Sequence, residues 1–238
     1  LPPQCREPET EDVDAAVTLA RDANVDAMLA VGGGSVLDLG KAVAALVAQD
    51  APTRAREFLE GVGSGRLLTR DPLPFIAIPT TAGTGSEVTK NAVISSRRDG
   101  YKKSLRDPRM IADIVILDAD LTCSLPPHLT AWSGLDAVTQ LIETYTSRYA
   151  QPYTDALALR GLRHARALPE TYRDGTKLST RGAMLLAAHF SGLCLANAGL
   201  GAAHGIAAAL CAHADIPHGL ACAVSLPWVM AMNASVVG

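Results

Sequence analysis

The chain has 238 residues, of which 48% are hydrophobic and 19% charged, with a formal net charge of -3; that is enough to bury one large core or two small ones. A slightly acidic balance without a basic block excludes nucleic acid and anionic lipid as partners. Cys5, Cys123, Cys194, Cys211 and Cys222 are scattered, odd in number and without a C-x-x-C pair, which fits a reducing, cytoplasmic setting, and no export leader or run of about 18 uninterrupted apolar residues marks a membrane protein.

From Thr10, the residues Val13, Ala16, Val17 and Ala20 recur at helical spacing, and Asn24 closes that segment. The apolar run 27–31 reads as a buried strand, and Gly32-Gly33-Gly34-Ser35 opens a second helix over 36–47, with Ser35 placed to cap it and Asp38 three residues on. Residues 50–73 read as a surface connection with one helical turn. Phe75-Ile76-Ala77-Ile78 is a second buried strand ending at Pro79, followed by a small-residue loop, Thr80 to Glu87. Loops at the carboxyl ends of strands are where open α/β sheets bind ligands.

Strand-like runs at 92–95 and 114–117 are separated by the turn Arg98-Asp99-Gly100 and a charged stretch ending at Asp107-Pro108. Beyond Pro126 helical periodicity dominates, over 129–147, 154–168, 179–197 and 201–211, with turn signals at Gln151-Pro152, Asp174-Gly175 and Pro217. The expected organisation is an α/β domain over 1–122 followed by an all-α domain over 123–238.

Backbone N–H groups at a glycine turn leading into a helix make an anion site, and Gly33, Gly34 and Ser35 supply one; three glycines equally serve as a tight turn. A second loop of hydroxyl and small residues, 80–87, on the same sheet favours a dinucleotide over the bare turn. In the helical part Asp136 and Gln140 are four apart and share a helix face. His204 and His218 are fourteen apart, and Pro217 after the polar segment His213-Ala214-Asp215 lets the chain fold back and bring both imidazoles together. A lone histidine in an alanine-rich helix is more often a packing residue than a ligand.

The runs Val31-Gly-Gly-Gly-Ser35-Val-Leu-Asp38-Leu-Gly-Lys41 and Pro79-Thr-Thr-Ala-Gly-Thr-Gly-Ser-Glu87 closely resemble the paired signatures of iron-containing, group III alcohol dehydrogenases. Gly134-Leu-Asp136-Ala, Asn197 to Gly205 and Pro217-His218-Gly219 resemble that family's metal-bearing segments, in the same order. The resemblance implies an incomplete dinucleotide-binding α/β domain followed by a helical domain, in the architecture shared with dehydroquinate synthases. It implies NAD or NADP held by Gly33, Gly34, Ser35, Asp38, Thr80, Thr81, Ser86 and Lys102, and Fe2+ or Zn2+ held by Asp136, His204 and His218. Lys41, in the first turns of its helix, is expected to be solvated, and Glu143 to serve packing or capping.

Two positions depart from the family pattern. Its histidine four residues after the aspartate is Gln140 here, an amide that offers a weak oxygen ligand or a hydrogen bond to bound water, and its second helical histidine is Ala208. Without a side-chain donor at 208, the alkoxide is expected to take its proton from water or the cofactor ribose. The implied reaction is hydride transfer between a nicotinamide and a small alcohol or carbonyl substrate. The alternatives are a dehydroquinate-synthase-like lyase and a catalytically weak nucleotide-binding relative. The resemblance runs from about Val13 to Trp228, and family members extend beyond it on both sides. An uncovered sheet edge and homo-oligomeric association are therefore expected.

Overall fold

In the computed structural model, which describes residues 7–214 and 216–237, the chain divides into two units. The first runs to Pro79 and resumes over Ser86–Ile116; the second combines Thr80–Gly85 with the chain from Leu117 onward. Cys5 and Asp215 lie outside the described residues.

The first unit opens with α1 (Thr10–Asp22), started by a reciprocal capping box between Glu9 and Asp12. Its apolar stripe, Val13, Ala16, Val17 and Ala20, is buried. Strand β1 (Met28–Gly32) leads into α2 (Gly34–Val47), whose N-cap is Gly33. Ser35 therefore lies inside the first turn and makes no cap hydrogen bond, because the glycine backbone enters the helix two residues earlier than a serine cap requires. At the other end of α2, Arg21 donates to the carbonyls of Leu46, Val47 and Gln49, at a helix terminus where carbonyls run out of intrahelical donors.

Strands β1, β2 (Phe75–Pro79) and β5 (Ile114–Val115) form a parallel sheet in the order β1-β2-β5, with Met28 opposite Phe75 and Ile76 opposite Ile114. Helix α2 packs on it, and Gly40 makes the approach possible: a Cβ there would stand 2.8 Å from Ala30 Cβ and 3.0 Å from the Phe75 ring. The run expected as a buried strand is buried on one face only. Leu29 and Val31 alternate outward at 57% and 48% exposure, since a strand presents successive side chains to opposite faces. The charged stretch before Pro108 is also a strand, β4 (Tyr101–Arg106), which pairs antiparallel with β3 (Asn91–Ser96). The 50–73 connection does carry one helical turn, Ala55–Phe58, and it anchors the core through Phe58 and Leu59.

The second unit is helical: α3 (Pro127–Tyr145), α4 (Pro152–Ala165), α5 (Leu168–Arg173), α6 (Leu178–Ala198), α7 (Ala202–His213) and α8 (His218–Val237). Helix α3 is central and packs on each of the others. Prolines at the first helical positions of α3 and α4 fit there because the N–H they lack has no intrahelical acceptor. Over His218–Val236, α8 is long and apolar enough to cross a membrane by length and composition alone. It packs against α3 and α7, and its first turns carry polar residues of the site described next.

Candidate metal centre

Two glycines draw three helices to one point in the second unit. A Cβ at Gly219 would collide with the Trp132 carbonyl oxygen, so only glycine lets the start of α8 press onto the α3 backbone. Gly201, the N-cap of α7, lies against Glu143: a Cβ there would be 2.8 Å from the carboxylate. The break between α7 and α8 falls at Pro217, as the sequence implies, and the His204 and His218 rings stand 5.5 Å apart by centroid.

One carboxylate oxygen organises the cluster. Asp136 Oδ1 lies 3.2 Å from His204 Nε2 and 3.8 Å from His218 Nε2. Asp136, His204, His218 and Cys222 each offer a ligand atom, all within 4.8 Å of one another. The set suits a divalent cation: imidazole nitrogens, a carboxylate and a sulfur are the donors such ions take. Cys222 was not singled out from the sequence; its signal was position, one helical turn after His218 on the same face.

Glu143 does more than pack or cap. Its Oε2 lies 2.5 Å from His204 Nδ1 and its Oε1 accepts from Ala203 N–H at 2.6 Å. A carboxylate on Nδ1 holds the proton there and leaves Nε2 facing the cluster, the usual arrangement behind a ligating histidine. Burial opposes charge on His204, yet hydrogen bonds to Asp136, Cys222 and Glu143 outweigh it and push its pKa up to about 11. Burial likewise works against ionised Asp136 and Glu143, and the His204 hydrogen bond to each holds both carboxyls below their ordinary values. Burial pushes the Cys222 thiol up.

Gln140 stands beside the cluster rather than in it. Its Nε2 donates to Asp136 Oδ2 at 3.2 Å, and its Oε1 accepts from Ser191 Oγ at 2.7 Å. Among the other histidines, His128 packs edge-on against Trp132, while His164 and His189 flank Phe190.

The residues expected to hold a dinucleotide fall in both units. In the first, Gly33, Gly34 and Ser35 form the half-buried start of α2, with no acidic residue in the first turn to oppose an anion. Asp38 accepts from Ser86 Oγ at 2.5 Å and from Val93 N–H at 2.9 Å, so both of its oxygens have partners inside the unit. Lys102, on β4, forms an ion pair with Glu7. In the second unit Thr80 and Thr81 are half-buried in the loop 80–85. Lys41 overturns its expectation: it is 1% exposed. Its ammonium donates to the carbonyls of Ser86 (2.8 Å) and Asn91 (2.5 Å) and to Thr89 Oγ1 (3.0 Å), with Asp38 Oδ1 at 3.2 Å. These acceptors meet the charge that burial would otherwise leave unpaired.

Residues 5–119 match the family model for iron-containing alcohol dehydrogenase, and residues 130–238 match the C-terminal model of the same family. The chain belongs to the iron-containing alcohol dehydrogenase family. It is 43% identical over 228 residues to the Escherichia coli protein named probable alcohol dehydrogenase EutG, covering 95% of this chain and 56% of that one. It is 39% identical over 225 residues to long-chain-alcohol dehydrogenase 1 of Geobacillus thermodenitrificans, covering 94% of this chain and again 56% of the other. Among solved structures, sulfoacetaldehyde reductase from Bifidobacterium kashiwanohense in complex with NAD+ matches with a TM-score of 0.90 at 31% identity, over 95% of this chain and 59% of that one. The chain thus spans a little over half the length of the relatives it matches.

Proposed function

We propose that the chain is part of a metal-dependent oxidoreductase that moves a hydride between NAD or NADP and a small alcohol or its aldehyde or ketone. The observation that carries the reading is the convergence of Asp136, His204 and His218, with their ligand atoms within 4.8 Å, in a chain of this family. When bound, a divalent ion supplies Lewis acidity toward the substrate oxygen and the nicotinamide supplies or accepts the hydride. Asp136, His204 and His218 would hold the ion, and Glu143 would keep the His204 proton on Nδ1. Gly33, Gly34, Ser35, Asp38, Thr80, Thr81, Ser86 and Lys102 are proposed for the dinucleotide. Support comes from the helix start at Gly33 and from the NAD+ complex of the matched reductase.

The dehydroquinate-synthase-like alternative draws no support from the relatives described above, whose names are those of dehydrogenases and a reductase. The catalytically weak relative is the second reading, favoured by Gln140 and Ala208 at positions where the family pattern carries histidine. We further propose a cytoplasmic protein, supported by Cys123, Cys194, Cys211 and Cys222 standing outside any disulfide, and self-association through the exposed face of β1. Elemental analysis of wild type and His218→Ala, paired with NADH oxidation over an aldehyde panel, tests the main reading. Near-stoichiometric metal that the variant loses, together with turnover, is expected. Metal without turnover selects the weak relative, and no metal in either protein overturns both the site and the dehydrogenase reading.

A further inference from the structure

Gln140 occupies the place of a metal-binding histidine in the family pattern, and its hydrogen bonds turn it away from that task. A carboxylate only accepts, so the Gln140 amide must present its NH2 to Asp136 Oδ2. Its one ligand-capable atom, Oε1, therefore faces Ser191 Oγ on α6. The residue steadies one oxygen of Asp136 and leaves the other, Oδ1, to the two imidazoles.

A donor absent from that pattern stands in the cluster instead. Cys222 is fully buried one turn along α8 from His218, with Sγ 3.7 Å from His218 Nε2 and within 4.8 Å of the Asp136 and His204 ligand atoms. Taking the metal reading above as its starting point, we propose that Cys222 Sγ is the fourth ligand of the cation site. The set becomes carboxylate, two imidazoles and thiolate, and its preference shifts from iron toward zinc.

Two physical arguments support the exchange. A thiolate and a carboxylate together neutralise a divalent ion, which matters for a charge held among buried groups. Sulfur is also the softest of the protein donors and favours zinc among the divalent ions that imidazole and carboxylate accept. Coordination costs the thiol its proton, which leaves for solvent as the sulfur–metal bond forms.

Cobalt(II) substitutes for zinc and reports sulfur ligation through a thiolate-to-metal charge-transfer band in the near ultraviolet. The wild-type chain loaded with cobalt is expected to show that band. Cys222→Ser and Cys222→Ala should lose it and bind zinc at least tenfold more weakly, with a smaller loss for iron. Cys211→Ser should keep the band; its Sγ lies 4.0 Å from His218 Nδ1, the ring nitrogen other than the one facing Asp136. Adding Gln140→His to Cys222→Ser should restore affinity without restoring the band, which separates a lost ligand from a damaged fold. Cobalt bound by wild type with no charge-transfer band, or an unchanged band in Cys222→Ser, overturns the proposal and leaves the metal reading standing. Failure of wild type to bind cobalt or zinc at all overturns both.

Discussion

Glu143 Oε2 sits 2.5 Å from His204 Nδ1, on the side of the ring opposite Asp136. The carboxylate fixes the tautomer and the ring plane, so that Nε2 points at the other donors without help from an ion. Glu143→Gln keeps the shape but presents a neutral amide that no longer demands the proton on Nδ1. The expected result is a metal affinity lower by about 10–100-fold, the usual cost of losing such a partner. Chelator-competition titration of zinc measures it, and an affinity equal to wild type would show that Glu143 only packs.

Lys41 and Asp38 form an ion pair within α2 whose lysine is buried, with further partners at Ser86, Thr89 and Asn91. Lys41→Met removes the cation and leaves Asp38 to Ser86 Oγ and the Val93 N–H. Breaking a buried pair from one side costs about 3–5 kcal/mol, so urea denaturation should show a loss of that order. A loss under about 1 kcal/mol, the scale of an exposed pair, would mean the network is not closed to water.

Lys41 also shows where the sequence stops being informative. Lysine in the first turns of a helix is normally solvated, and nothing local announces that the segment 86–91 folds over its side chain. The helix periods were legible because burial repeats with the turn, as in Val13, Ala16, Val17 and Ala20. The strand β4 was not, since half of Tyr101-Lys-Lys-Ser-Leu-Arg106 is charged and only Leu105 of the six is fully buried, so that its extended form rests on pairing with β3 as much as on its own burial. At the candidate site, Asp136, His204 and His218 could be named from motifs. Cys222 could not, because its significance depends on α8 docking against α3 at Gly219.

Asp107 provides a test in acid. It accepts from Arg109 N and Nε, and the Arg109 hydrogen bonds hold its carboxyl below the usual range although desolvation opposes the shift. A carboxyl lowered by folding contributes stability above its unfolded value, about 3.9, and that contribution disappears as pH falls through the lower folded value. Asp107→Asn should therefore melt lower than wild type at neutral pH, and the two curves should converge in strong acid. Because Arg109 is partly exposed, added salt should shrink the gap at neutral pH. Thermal melts across the acid range at two salt concentrations read both effects; a gap independent of pH would assign the effect to shape rather than charge.

Gly85 closes the loop that carries Thr80 and Thr81, at φ 62°, against Gly192 of α6. A Cβ at Gly85 would run into the Gly192 backbone and stand 2.8 Å from the Ala188 carbonyl oxygen. Gly85→Ala adds two costs, a left-handed backbone that alanine resists and a steric collision worth about 1–3 kcal/mol. Gly100 separates them, since it has φ 68° in the turn between β3 and β4 and nothing within 4 Å of an added Cβ. Gly100→Ala should cost about 1 kcal/mol from strain alone, and Gly85→Ala clearly more by urea denaturation. Equal losses would show that the 80–85 loop moves off α6 to make room, so that its threonines are not held in place by that contact.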